Sequence, residues 1–65
     1  MNAKEIIKIL KENGFIKKSQ KGSHEKYIKD DKTVIVPIHG KKDVPIGTIK
    51  SIEIQSGVKL RWERI

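Results

Sequence analysis

The sequence predicts an α+β domain in which two helices cover one face of a small antiparallel sheet. Three observations carry this prediction: an apolar stripe at helical spacing near the N-terminus, β-branched runs separated by short polar turns, and a second helical stripe after Pro45. The order is helix, two or three strands, helix, within a single domain of residues 1–65. The opposite face of such a sheet is left to solvent or to a partner.

The first helix is predicted over residues 3–13. Asn2 can cap it, and Glu5 stands three residues later, as in a capping box. Its apolar stripe consists of Ile6, Ile7, Ile9 and Leu10. Gly14 supplies the left-handed residue that ends a helix, and Phe15 takes the position of the hydrophobic contact in a Schellman motif.

Two strands are predicted over residues 23–29 and 33–38, joined into an antiparallel hairpin by a polar turn at residues 30–32. Alternation along the first of these strands places His24 on one face with Lys26 and Ile28. Residues 17–22 are polar and form either a loop or an exposed edge strand. Pro37 marks the end or the free edge of its strand because proline has no N–H to donate.

A second helix is predicted over residues 46–56, with Ile46, Ile49 and Ile52 as its apolar stripe and Glu53 exposed. Gly57 ends it as Gly14 ends the first helix. Residues 58–65 form a tail of undetermined structure whose candidate anchors are Leu60, Trp62 and Ile65.

Composition narrows the classes of function. The chain has 15 Lys and Arg against 8 Asp and Glu, which gives a formal net charge of +7. Such a charge favours a nucleic acid or another polyanion as partner, although lysine-rich composition also accompanies biased genomes and thermophily. There is no cysteine, no apolar run long enough to span a membrane and no leader-like segment after Met1, so a cytoplasmic location without membrane contact is expected.

Residues 21–27 carry most of the functional information. They place His24 directly after Gly22 and Ser23, with Lys21 and Lys26 close by. Histidine can accept or donate a proton near neutral pH, a serine hydroxyl can hold a phosphate oxygen, and lysines stabilise the charge of a phosphorane. RNA cleavage suits these parts because the 2′-OH is an internal nucleophile beside the scissile phosphate. A surface histidine without catalytic function is the alternative.

The second histidine, His39, is interpreted as a loop residue near the end of a strand, with a second acid–base group or a phosphate contact as the alternative. His24 and His39 without a carboxylate at recognisable spacing do not define a zinc site. No phosphate-binding glycine loop or dinucleotide motif occurs. We therefore expect no cofactor and no metal.

The arrangement resembles the HicA (YcfA-like) family, the mRNA interferase toxins of HicA–HicB toxin–antitoxin pairs. The resemblance runs nearly end to end and rests on residues 13–15 (Asn-Gly-Phe), residues 21–24 (Lys-Gly-Ser-His), the strand ending at Pro37 with His39 after it, residues 46–49 (Ile-Gly-Thr-Ile) and residues 55–57 (Gln-Ser-Gly).

This resemblance implies a double-stranded-RNA-binding-like α-β-β-β-α fold and a ribonuclease whose catalytic residue is His24. It also implies that a HicB antitoxin neutralises the protein by covering the active face. Lys21, Gly22, Ser23 and Lys26 are the expected substrate-binding residues. The leading hypothesis is a metal-independent endoribonuclease toxin acting on mRNA. The alternatives are a non-catalytic RNA-binding module of the same fold and a small protein that binds only an acidic partner.

Overall fold

The predicted architecture is confirmed by a computed structural model, which describes residues 1–40 and 42–60. The elements follow the order α1 (Ala3–Glu12), β1 (Ile16–Lys21), β2 (His24–Lys29), β3 (Lys32–Pro37) and α2 (Ile46–Ser56). This is the α-β-β-β-α order of a double-stranded-RNA-binding-like fold. Trp62 and Ile65, two of the candidate anchors of the tail, lie outside the described residues.

Both ends of α1 form as the sequence predicts. The Asn2 side chain accepts a hydrogen bond from the Glu5 N–H, and the Glu5 carboxylate accepts one from the Asn2 N–H, each at 2.9 Å. At the other end Gly14 has a φ of +92°, the Phe15 N–H donates to the Leu10 carbonyl, and the Gly14 N–H donates to the Lys11 carbonyl. These two bonds are those of a Schellman motif, and they turn the chain sharply from α1 into β1.

The three strands form one antiparallel sheet in the order β1-β2-β3, with β2 in the centre. The sequence predicts either a loop or an exposed edge strand for residues 17–22. In the structure most of these residues belong to β1, and all six residues of this strand are exposed. The register of β1 against β2 shifts between Lys17 and Ser19, so Lys18 is the extra residue of a β-bulge. An edge strand with lysines and a bulge resists pairing with another chain.

Two-residue turns connect the strands. Lys21 pairs with His24 around Gly22 and Ser23, and Lys29 pairs with Lys32 around residues 30–31. Gly22 has a φ of +58°, whereas the φ of Ser23 is not positive. A positive φ at the first of the two turn residues only, with glycine in that position, is the pattern of a type II′ turn. A two-residue loop leaves the flanking residues directly opposite each other, so the turn itself places Lys21 beside His24.

The core lies between the sheet and the two helices. Among the described residues, the apolar side chains below a few per cent exposure are Ala3, Ile6, Leu10, Phe15, Tyr27, Val34, Val36, Val44, Ile49, Ile52 and Leu60. The sheet contributes Tyr27 from β2 and Val34 and Val36 from β3, which share one face because Tyr27 pairs with Val34. Both helices therefore lie on one face of the sheet, as predicted, and Leu60 is confirmed as an anchor of the tail.

Two details of α2 differ from the prediction although its bounds do not. Ile49 and Ile52 are buried, but Ile46 is 58% exposed because it occupies the first turn, before the helix reaches the core. Glu53 is only partly exposed, since its carboxylate accepts a hydrogen bond of 2.7 Å from the Leu60 N–H. This bond ties the start of the tail back onto α2.

The lysines that flank the second turn lie over the C-terminal ends of the helices. A Cβ atom at Gly14 would lie 3.3 Å from the Lys29 side chain, and one at Gly57 would lie 3.3 Å from Lys32 Nζ. Lys29 Nζ also stands 6.0 Å from the centroid of the Phe15 ring. Cations are stabilised at helix C-termini, so the β2–β3 turn contributes to holding both helices.

The turn at Gly22 gives a direct test of the fold. Gly22→Ala should lower the free energy of unfolding by about 1–2 kcal/mol, because an L-residue is strained at a left-handed φ even where its Cβ meets no neighbour. The matched control is Gly47→Ala in α2, where a Cβ also meets no atom within 4 Å and φ is not positive. That variant should be as stable as wild type or up to about 1 kcal/mol more stable. Urea unfolding measures both, and equal stabilities would contradict the turn assignment.

Candidate functional site

The face of the sheet away from the helices, called here the outer face, presents nine side chains in three rows. Strand pairing defines the rows, which run across β1, β2 and β3 in that order. The first row is Ile16, Ile28 and Thr33; the middle row is Ser19, Lys26 and Ile35; the third row is Lys21, His24 and Pro37. The outer face therefore changes from apolar at the first row to basic at the third, next to the Gly22–Ser23 turn.

A depression on the outer face brings the basic residues together. It is lined by Ser19, Lys21, His24, Lys26 and Ile35, which belong to the middle and third rows. His24 begins β2, its side chain is exposed, and Lys21 is its direct cross-strand neighbour. Lys26 lies two residues further along β2 on the same face. An exposed imidazole in one depression with two lysines is an arrangement that suits an anionic ligand.

Of the predicted substrate-binding residues, Lys21 and Lys26 line the depression with His24, whereas Gly22 and Ser23 form the turn beside it. The Ser23 carbonyl accepts a hydrogen bond of 2.6 Å from the Ile38 N–H, which anchors the turn to the end of β3. His39 lies in the loop after β3 and is exposed; its carbonyl accepts a bond from the Lys42 N–H. The depression does not include His39.

The His24 ring makes no hydrogen bond to any of the described residues, so both ring nitrogens are available to a ligand. A neutral imidazole can take a proton from a hydroxyl that is brought against it, and the resulting cation can return one. Residues 1–40 and 42–60 contain no group of three or more His, Cys, Asp or Glu side chains that could hold a metal ion. Within the same ranges no helix is long and apolar enough to cross a membrane.

Two residues of the depression, Ser19 and Ile35, were not predicted from the sequence. Ile35 lies between the buried Val34 and Val36, and strict alternation along β3 would have placed it on the outer face. Ser19 could not be placed in this way, because the bulge at Lys18 reverses the alternation of β1 and six exposed residues give no pattern.

A network of polar side chains supports the β1–β2 hairpin from the other side. The Tyr27 hydroxyl donates a hydrogen bond of 2.7 Å to Glu25 Oε1, and Lys17 Nζ stands 3.8 Å from Glu25 Oε2. Lys17 also donates to Gln20 at 2.8 Å, and the Gln20 amide donates to the Gly22 carbonyl at 3.1 Å. Glu25, together with Lys17 and Gln20, thus connects the buried Tyr27 with the turn that precedes His24.

The environment of Tyr27 changes its titration. Burial raises the pKa of Tyr27 to about 12, and the hydrogen bond to the Glu25 carboxylate and its negative charge act in the same direction. All three effects disfavour a tyrosinate at this position.

Comparison with known proteins identifies a family. The family model described as HicA toxin of bacterial toxin–antitoxin systems matches residues 3–58, which include both helices and all three strands. No curated protein matches the chain.

The raised pKa predicts a loss of stability at alkaline pH. Because the folded-state pKa lies above the ordinary tyrosine value of 10.0, the stabilisation is present below pH 10 and is lost as the pH rises through about 12. Two pKa units correspond to at most about 3 kcal/mol. Tyr27→Phe should be less stable than wild type near neutral pH by about 1 kcal/mol and should approach or exceed it near pH 12. Urea unfolding over this range measures the difference, and parallel curves would contradict the prediction.

Proposed function

The chain belongs to the HicA toxin family of bacterial toxin–antitoxin systems, and on that premise we propose that it is an endoribonuclease that cleaves mRNA without a metal, with His24 as its acid–base residue. Family membership makes the chain a toxin with an antitoxin partner. The observation that carries the finer proposal is the position of His24, exposed in one depression with Lys21 and Lys26.

The proposed reaction is a transesterification within the RNA. Neutral His24 takes the proton of a 2′-OH, the 2′-oxygen forms a bond to the adjacent phosphorus, and the bond from phosphorus to the 5′-oxygen breaks. The products are a 2′,3′-cyclic phosphate and a 5′-hydroxyl end, whose oxygen receives a proton from an acid on the far side of phosphorus. DNA, which lacks the 2′-OH, is not a substrate for this chemistry.

The lysines supply the electrostatic part of the proposal. The phosphorane gains negative charge as the 2′-oxygen attacks, and Lys21 and Lys26, which line the depression, would stabilise that charge. Gly22 and Ser23 lie at the rim, where the turn's exposed backbone and the Ser23 hydroxyl are open to phosphate oxygens. No described residue orients the His24 ring, so in this proposal the bound RNA orients it.

The antitoxin partner is proposed to be a HicB-like protein that covers the outer face. The net charge of +7 favours a partner with carboxylates, and the exposed Ile16 and Ile35 on the same face offer it apolar contacts. A toxin that cleaves mRNA acts where mRNA is translated, which makes the cytoplasm the proposed location.

Cleavage of a labelled oligoribonucleotide in the presence of EDTA tests the proposal. Wild type should cut the RNA and leave the DNA of the same sequence intact. His24→Ala should lower kcat/KM by about 100-fold or more while binding the RNA within a few-fold of wild type, because a general base typically contributes that much. The matched control His39→Ala should cut at close to the wild-type rate, since His39 lies outside the depression.

The other outcomes identify the alternatives. Wild type that binds RNA and never cuts it would make the domain an RNA-binding module. Wild type that neither binds nor cuts RNA but binds an acidic protein would leave only the interaction hypothesis. Cleavage that EDTA abolishes and added Mg²⁺ restores would overturn the metal-independent reaction.

A further inference from the structure

The middle row of the outer face combines three kinds of side chain that the proposed reaction does not use together. Ser19, Lys26 and Ile35 are consecutive partners across β1, β2 and β3, and all three line the depression that contains His24. The proposed chemistry needs only the charge of Lys26 from this row. The Ser19 hydroxyl and the apolar Ile35 side chain are therefore unexplained by phosphate binding alone.

Ile35 forms an apolar surface at one end of the row. It is 38% exposed although its neighbours Val34 and Val36 are fully buried, and it lies beside Lys26, whose side chain is half-buried. A lysine can lay its methylene groups along an apolar surface and keep its ammonium group in water. Covering Ile35 and the Lys26 methylenes with a flat apolar group would be favourable because it removes apolar area from water.

Ser19 provides a polar group at the other end of the row. Its hydroxyl makes no hydrogen bond to any of the described residues, and it can both donate and accept. Adjacent strands lie about 4.8 Å apart, so Ser19 and Ile35 stand about 10 Å apart with Lys26 between them. A flat ligand with apolar faces and hydrogen-bonding edges suits this row, and in RNA that group is the nucleobase.

We propose that Ser19, Lys26 and Ile35 form a nucleobase subsite that gives the enzyme a preference for one or more bases at the cleaved bond. This inference rests on the proposed function, because it assumes that RNA lies in the depression. The face of the base packs on Ile35 and the Lys26 methylenes, and the Ser19 hydroxyl bonds to its edge. His24 lies two residues from Lys26 along β2, about 7 Å away, so the base and the scissile phosphate belong to the same nucleotide.

A set of four oligoribonucleotides that differ only in the base on the 5′ side of the cleaved bond tests the subsite. Wild type should show unequal kcat/KM values across the set. Ser19→Ala should change the ratio between the best and the poorest base by about threefold or more, since it removes a hydrogen bond to the base edge. Ile35→Ala should lower kcat/KM for all four bases, mainly through KM, because it removes packing against the base face.

Ile16→Ala is the matched control, because Ile16 is an exposed isoleucine in the first row and does not line the depression. It should leave both the base preference and KM at the wild-type values. A wild-type enzyme that cuts all four substrates equally would overturn the subsite and leave the ribonuclease proposal intact. The subsite would also be overturned, and the ribonuclease proposal left intact, if Ser19→Ala kept the wild-type base preference. The same conclusion would follow if Ile16→Ala changed the base preference as much as Ser19→Ala does.

The subsite is also tested where no cleavage takes place. The same four oligonucleotides with a 2′-deoxy sugar at the cleaved position cannot react, and their dissociation constants can be measured by fluorescence anisotropy. Wild type should bind the four oligonucleotides with unequal dissociation constants, and Ser19→Ala should change the ratio between the best and the poorest base. If wild type cleaves no RNA but shows this binding preference, the ribonuclease proposal fails while the base subsite stands. If it shows no preference in binding, the subsite fails.

Discussion

Burial of Tyr27 beneath the two helices determines to which face of the sheet all the remaining side chains of β2 point. Side chains alternate along a strand, so placing Tyr27 in the core places Lys26 on the outer face and His24 with it. A shift of one residue would bury His24 and Lys26 and expose Tyr27, at a cost of several kcal/mol for an unpaired buried ammonium group. The chemistry of the outer face thus depends on a core residue that no ligand contacts.

The two tight turns fix how the residues of β1 and β3 pair with those of β2. The Gly22–Ser23 turn holds Lys21 opposite His24, and the Gln20–Lys17–Glu25 side chains brace it from the helix side. The second turn places Lys29 and Lys32 over the two helix C-termini, so the same β2–β3 hairpin that positions Tyr27 also fixes the ends of the helices packed on it. Site and core are therefore connected through short local links, as a chain of 65 residues requires.

The sequence predicts well those elements in which one strong local signal acts alone. The capping box at Asn2, the Schellman end at Gly14 and the bounds of α2 follow from single residue types with specific backbone preferences. Alternation correctly groups His24 with Lys26, but only the burial of Tyr27, which was not predicted from the sequence, shows that this group lies on the outer face. The prediction is weakest in β1, because its exposed residues carry no apolar alternation and the bulge at Lys18 depends on pairing with β2. Ser19 could enter the site only once that register was known.

The small size of the domain also limits the chemistry it can perform. A chain that buries so little of its surface cannot enclose a deep pocket, and the depression lies on the open face of a three-stranded sheet. A reaction on such a surface is feasible when the substrate brings its own nucleophile, because the protein then has to supply only a proton acceptor and positive charge. RNA meets this condition through its 2′-OH. In the proposed reaction the exposed His24 and the neighbouring Lys21 and Lys26 would supply these two functions, which is why an open sheet is compatible with the proposed ribonuclease activity.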